Sequence, residues 1–527
     1  MPFWSILVTR RTLPLLFTGA IAIACGSIES VAQPVGTTTK VVQTRFGAVA
    51  GDGSDILAFK GIPYAAPPVG PLRWKPPAPP ASWEGVRAAT NFGADCMQKP
   101  GGSTRASGIS EDCLTLNIWT PANLAQNKLP VMVFVYGGSF INGSGSRPLY
   151  DGEALARKNV VLVTFNYRTG VFGFLAHRLL TQESSRNSSG NYGLMDIVAA
   201  LKWVKENIAG FGGDPGRVTL FGESSGASAI SLLLTSPLAE GLFERAILES
   251  PGAMRPISNL EVAEKVGEVI GNDLDRMRSL SASEVLAVTD RMVPAVRSLT
   301  TPRALGPIND GWVLRGDERA TFASGRVLSV PLIVGGNSDE GRIFVGSWPV
   351  HNVTEFRSFV ADNFGDAAPQ AIQLYDAASD SEISNALSYI FGDTQFNFGA
   401  RGLAREQSRI QPKTFRYLFT RTPQGELPAA THTEELAYVF GNLSAPRFVK
   451  RSGADTTDRI LSEQMMDAWV RFAANSDPNG GNLPYWPPYR IASDPYLELG
   501  DHIVARAGYR TEYLDFVEAF FDSKVAE

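Results

Sequence analysis

Short apolar runs separated by polar turns recur along the chain, and their character changes as it proceeds. Residues 41–60 (VVQTRFGAVAGDGSDILAFK) alternate apolar and polar positions around glycine turns, which predicts two or three short antiparallel strands. Residues 61–80 are too rich in proline for a regular element and read as an ordered loop wrapped on the body. Beyond them the runs become almost wholly apolar: 114–119, 131–135, 160–166, 218–221 and 243–248. Helical stretches fall between them, at 151–158 and in the amphipathic segment 195–208 (MDIVAALKWVKENI). Apolar strands alternating with helices predict an α/β fold with a central, mostly parallel sheet covered by helices. After about residue 255 the pattern loosens into helices at 259–270 and 283–293, then strands resume at 330–335 and 414–419. A helix at 460–473 and Tyr-Pro-rich loops close the chain. The helical inserts are expected to build a lid or pocket wall, not a separate domain.

Composition sharpens this only at the N-terminus. At 527 residues, with 44% hydrophobic and 19% charged positions, the chain can bury a large core. A net charge of −5 and the lack of any basic run argue against a nucleic-acid partner. Arg10-Arg11 precede an apolar stretch, 13–24 (LPLLFTGAIAIA), that is too short to span a bilayer. Ser30-Val31-Ala32 follows as a cleavage site, so residues 1–32 read as a signal peptide and 33–527 as one domain. Ala22-Ile23-Ala24-Cys25 also resembles a lipoprotein box, which would lipidate Cys25 and supply the one route to a membrane. Thr9-Arg10-Arg11 is similar to a twin-arginine signal. The expected destination is the bacterial periplasm or the medium. Apart from Cys25, only Cys96 and Cys113 remain, which an exported chain would pair in a local disulfide or keep as buried thiols.

The chemistry is concentrated in residues 217–234, RVTLFGESSGASAISLLL. A short strand, the turn Gly222-Glu223-Ser224-Ser225-Gly226 and an apolar helix match a nucleophile elbow, in which a strained serine projects above the sheet. The glycines either side are needed where a side chain would strike the neighbouring strand or helix. A serine nucleophile needs a base, and the chain has four histidines: His177, His351, His432 and His502. His177 lies in an Arg-flanked helical stretch with no notable polar neighbours, and His351 and His502 fall in surface loops. His432 follows the late strand 414–419, as the order nucleophile, acid, base requires. The acid belongs on the loop after strand 330–335, where either Asp339 or Glu340 would serve. Tyr136-Gly137-Gly138-Ser139, after strand 131–135, is placed to expose backbone N–H groups to an oxyanion.

Longer motifs carry a resemblance. FKGIPYAAPPVGPLRW, EDCLTLNIWTP, VYGGSFINGSG, FNYRTGVFGFL, NSDEG and the segment from GNYGLMDIV to GESSGA resemble the type-B carboxylesterases, the family of cholinesterases and bacterial para-nitrobenzyl esterases. The resemblance covers most of residues 40–515 and implies an α/β-hydrolase fold with a small N-terminal antiparallel sheet. It implies Ser224 as nucleophile, Glu340 as acid and His432 as base, with Gly138, Ser139 and Ser225 as oxyanion donors. It also implies a Cys96–Cys113 disulfide and a structural pair between Arg73 and Glu111. Two departures are the Tyr-Gly-Gly-Ser where the family usually has His-Gly-Gly-Gly or His-Gly-Gly-Ala, and Ser225 where alanine is common. Both leave backbone donors intact. The loop between Cys96 and Cys113 contains no aromatic residue, so the tryptophan that binds quaternary ammonium in cholinesterases has no counterpart.

These features predict two-step acyl transfer on a small-molecule ester, without metal or cofactor. Glu223 and Ser250 are expected to support the triad from behind, and Tyr136, Met254 and Arg255 to line the substrate pocket. Arg255, together with Lys99 and Arg105 of the disulfide loop, would favour carboxylate-bearing esters. The same triad would serve an amidase or a carbamate hydrolase, and a non-catalytic adhesion module would keep the fold without the chemistry. The oligomeric state is not legible.

Overall fold

Continuous apolar strands with covered faces can satisfy their backbones only by pairing side by side, and here they join a single sheet. The computed structural model describes residues 38–102, 104–123, 128–294, 296–422, 429–445 and 454–526. The segment read as a signal peptide, including Cys25, lies outside them. Among the described residues thirteen strands form this sheet. β1 (Thr38–Thr44), β2 (Gly47–Gly53) and β3 (Ile56–Pro63) make an antiparallel meander, with β4 (Val86–Ala88) laid beside β2. Its alternating sequence reflects one buried and one wet face, as the burial of Val42 and Val49 beside exposed Val41 illustrates.

The centre of the sheet is parallel. β5 (Thr115–Pro121) links the meander to β7 (Val161–Phe165), β6 (Leu129–Val135) and β8 (Gly213–Glu223). Next come β9 (Arg245–Glu249), β10 (Leu332–Asn337), β11 (Thr414–Phe419) and β12 (Pro495–Leu499). β13 (Ile503–Ala507) closes the edge antiparallel to β12. Every residue of β7, β10 and β11 is buried, which explains their lack of alternation. Helices α1 (Tyr192–Asn207), α2 (Ser225–Leu234), α3 (Phe398–Ile410) and α4 (Thr456–Asn475) pack on these strands. Phe134 of β6 and Phe221 of β8 are in register, and their rings meet at 4.9 Å beneath the elbow. Phe440 packs on the same pair, 4.9 Å from Phe134.

Because these strands run the same way, the loops after β6, β8, β10 and β11 leave one edge of the sheet together. Those loops carry the Gly-Gly-Ser segment, Ser224, Glu340 and His432. The inserts contribute helices at Leu260–Gly267, Leu274–Ser279 and Ala282–Met292. The proline-rich segment is anchored by Arg73, whose Nε and Nη2 donate to Glu111 at 2.7 and 2.5 Å. Its Nη1 donates to the carbonyl of Leu280 at 2.8 Å, so the pair also clips the insert to the body. His177 does have polar partners: it caps the helix Arg178–Glu183 through Nδ1, and its Nε2 meets the Gly271 carbonyl at 2.8 Å. Among the described residues no helix is long and apolar enough to cross a membrane.

Candidate active site

The elbow is built by exclusion. β8 runs to Glu223 and α2 starts at Ser225, so Ser224 alone makes the turn, with φ 56° and ψ −124°. A non-glycine residue held there stores about 1–3 kcal/mol of strain, so neighbours must enforce it. Ser224 N donates to the Glu249 carbonyl at 2.8 Å, and its own carbonyl accepts from Ser228 N at 2.9 Å and Ser228 Oγ at 3.0 Å. A Cβ on Gly226 would stand 2.0 Å from the Val135 carbonyl oxygen, and one on Gly222 2.6 Å from the same atom. Strand β6 therefore passes too close for anything but glycine on either side of the serine. The first turn of α2 carries no side-chain cap, which leaves its N-terminal dipole directed at the cavity.

The Gly-Gly-Ser loop sits against this turn. Gly138 has φ 127°, and Ser139 and Phe140 follow at 59° and 65°, a left-handed run that turns successive N–H groups to one side. The Ser225 side chain stands where the family commonly has alanine. Its hydroxyl accepts from Phe140 N at 3.2 Å and ties this loop to the elbow. A second tie was missed too: Arg297 Nη2 donates to Ser139 Oγ at 2.6 Å. The disulfide Cys96–Cys113 is formed, and Gln98 beside it exchanges hydrogen bonds of 2.7 and 2.9 Å with the backbone of Gly143. The disulfide loop thus braces the far end of the Gly-Gly-Ser segment.

His432 is positioned from the other side. Asp339 N donates to the Ala430 carbonyl at 2.8 Å and Asn337 Nδ2 to the Thr431 carbonyl at 2.9 Å, which seats the loop after β11 on the loop after β10. Neighbouring residues then point to opposite sides. Asp339 is taken up by Arg342 and Ser388, whereas Glu340 Oε2 lies 2.5 Å from His432 Nδ1. The other Glu340 oxygen accepts from Ser250 Oγ and Asn337 N, both at 2.6 Å. The imidazole packs on Phe396 and Phe344, with ring centroids 4.4 and 5.1 Å away. A second carboxylate, Glu223, brings Oε1 to 3.0 Å from His432 Nε2. Burial and the charges of Glu223 and Glu340 push the nearby Glu435 up to about 8. Burial, and then Glu435, also raises Glu249. Both shifts favour the neutral carboxyl form within this acidic cluster.

Ser224, His432, Glu223, Gly138 and Ser139 share one cavity of about 500 Å3. Two residues expected on its wall lie behind it. Tyr136, just past the end of β6, is fully buried and stacks on Tyr167 at 4.5 Å, with its hydroxyl donated to the Tyr167 carbonyl at 3.0 Å. Met254 is buried, with its N–H on Glu318 at 2.6 Å, and only its neighbour Arg255 reaches a cavity. Lys99 and Arg105 are not substrate-facing cations either: each pairs at 2.5 Å, with Asp290 and Asp151. Among the described residues no cluster of three or more candidate metal ligands occurs.

The carboxylesterase family model matches residues 38–517. A fumonisin B1 esterase from Sphingopyxis macrogoltabida is 46% identical over 483 residues, covering 89% of each chain. A para-nitrobenzyl esterase from Bacillus subtilis (strain 168) is 37% identical, covering 88% of this chain and 96% of its own. A solved structure of PNB esterase superposes with a TM-score of 0.80 at 34% identity, covering 91% of this chain and 100% of that one. The elbow, the loops converging at the edge of the sheet and these likenesses agree: the chain belongs to the carboxylesterase family, as a type-B serine ester hydrolase of α/β-hydrolase fold.

Proposed function

We propose that Ser224 is the nucleophile of a two-step acyl transfer on small-molecule esters, with His432 as base and Glu340 as its orienting carboxylate. The observation that supports this most is the 2.5 Å contact of His432 Nδ1 with Glu340, in the cavity that holds Ser224. With Nδ1–H donated to Glu340, Nε2 is the atom that accepts a proton. As the Ser224 hydroxyl attacks the ester carbonyl, its proton passes to His432. The oxyanion is held by the N–H groups of Gly138, Ser139 and Ser225, which need no reorganisation because the left-handed loop and the helix start hold them in place. His432 returns the proton to the departing alcohol, and water then repeats the sequence on the acyl-enzyme. Glu223 faces the imidazolium formed midway, and Ser250 holds the Glu340 carboxylate in position. The disulfide supports an exported protein, since such bonds persist in oxidising compartments.

Labelling with a fluorophosphonate probe, read by peptide mass spectrometry, tests the nucleophile. The expected adduct is on Ser224, and Ser224→Ala should lose label and about a millionfold in kcat. An adduct elsewhere, or hydrolysis by Ser224→Ala at the parent rate, overturns the assignment.

A further inference from the structure

Beside the catalytic cavity lies a second chamber of about 380 Å3, and Ser139 lines both. Three arginines, Arg255, Arg297 and Arg303, enter the wall of this chamber. Arg255 is 7% exposed; its Nε has no hydrogen-bond partner, and its Nη2 reaches only the Thr301 carbonyl, at 3.5 Å. Arg303 likewise has Nη1 buried and unpartnered, with its guanidinium 5.6 Å from the Phe140 ring centroid. Arg297 holds the Ser139 hydroxyl and lies over Phe344. No carboxylate among the described residues offsets any of the three charges. Glu318, which shares a small adjoining void with Arg255 and Arg303, is engaged by Met254 N and Ser231 Oγ, and burial pushes it up to about 7.

Among the described residues every other buried arginine pairs with a carboxylate. Arg73, Arg168 and Arg421 each meet a carboxylate at 2.7 Å or closer. Collecting like charges away from water without a counter-charge is costly. Here burial, and then Arg297, pushes Arg255 down to about 9, and Arg303 falls well below its ordinary value for the same reasons. Such a group becomes favourable when a ligand supplies the negative charge.

Geometry also separates the two ends of the ester. The departing alcohol must lie against His432, which protonates it, and His432 lines the catalytic cavity but not the arginine chamber. The acyl chain, whose carbonyl oxygen rests at Ser139 N, is left to extend past Ser139 into the chamber. We infer that the acyl group transferred by Ser224 carries one or more free carboxylates, which pair with Arg255 and Arg303. This rests on the ester-hydrolase reading above.

Three esters of similar size test it: benzyl hydrogen glutarate, with the charge on the acyl side; benzyl pentanoate, with none; and 4-carboxybenzyl pentanoate, with the charge on the alcohol. Release of the alcohol, followed by chromatography, gives kcat/KM for each. The purified full-length enzyme should prefer the glutarate to benzyl pentanoate by about tenfold to a hundredfold, the range of one or two charge-assisted hydrogen bonds. It should show no such gain for 4-carboxybenzyl pentanoate. In Arg255→Met and Arg303→Met the glutarate-to-pentanoate ratio should fall by about tenfold or more. That ratio is taken within one sample, so partial misfolding does not alter it. Equal rates for the glutarate and the neutral ester overturn the inference, as does an unchanged ratio in both variants or an equal gain from a charge on the alcohol. If Ser224 takes the fluorophosphonate label while these ratios stay flat, the acidic-acyl inference alone fails. If no ester is cleaved and no label forms, the hydrolase reading fails with it.

Discussion

Glu340→Gln changes a charge while keeping shape, and the hydrogen bonds around it decide the outcome. One Glu340 oxygen accepts two donors, Asn337 N and Ser250 Oγ, and the other faces His432 Nδ1 at 2.5 Å. A glutamine must place its oxygen toward the backbone N–H of Asn337, because that donor cannot rotate away. Its NH2 group then faces His432 and forces Nδ1 to become the acceptor. The ring proton moves to Nε2, the very atom that must receive the proton of Ser224, and the imidazolium loses its counter-charge. The same change in a comparable triad lowers kcat about ten-thousandfold, or about 5 kcal/mol of barrier. Stability should shift by only about 1 kcal/mol, since volume and hydrogen-bond count are nearly kept. The assay is steady-state hydrolysis of 4-nitrophenyl butyrate, with thermal unfolding measured on the same preparation. Asp339→Asn, at the position that faces Arg342 and Ser388, should keep most of the activity. Retention of kcat within about tenfold in Glu340→Gln would refute the tautomer argument, and a larger loss in Glu223→Gln would move the orienting role to that carboxylate.

Other expectations are brief. Gly226→Ala forces a methyl to within 2.0 Å of the Val135 carbonyl oxygen, so the elbow should open and activity be lost together with a lowered melting temperature. Ser225→Ala removes the acceptor for Phe140 N, which should lower kcat by about fivefold to tenfold and barely change KM; an unchanged kcat would show the tie to be idle. Replacing Cys96 and Cys113 by serine should cost about 3 kcal/mol in denaturant unfolding, the chain-entropy value for a loop of this length. Glu435 is held at about 8 in the fold against an ordinary 4.5, so its penalty is absent below the unfolded value and grows from about pH 4.5 to pH 8. Glu435→Gln should therefore gain melting temperature relative to the parent as pH rises through that window, and a constant difference would contradict the assignment.

What the sequence made legible followed from periodicity and strict geometry. Strand 414–419 was bounded correctly because its flanks are polar and its six residues are all buried. The elbow strand was drawn too short, since Gly213–Arg217 pairs across an irregular register that leaves no apolar run. Tyr136 and Met254 were misplaced because nearness along the chain does not say which way a side chain points. The residue pattern leaves Asp339 and Glu340 open for the same reason, and only the resemblance to the family points to Glu340, the one that meets His432. Arg297 and Arg303 escape notice because they follow the helix ending at Met292, in a stretch with no periodic pattern. A compositional signal was present even so: between Asp290 and Asp310 the only charged residues are arginines.

The Arg73–Glu111 clip has a consequence for how such an enzyme diversifies. The proposed nucleophile, acid and base sit on loops at the ends of strands buried in the sheet, while Arg297 and Arg303 belong to the insert that Arg73 fastens at the Leu280 carbonyl. On the proposed reading chemistry and selectivity are thus largely separate, joined where Arg297 holds the Ser139 hydroxyl. A lineage can redraw residues 298–310 while the fastening, the Arg297 tie to Ser139 and the catalytic register stay put, and a protein engineer can graft there on the same terms.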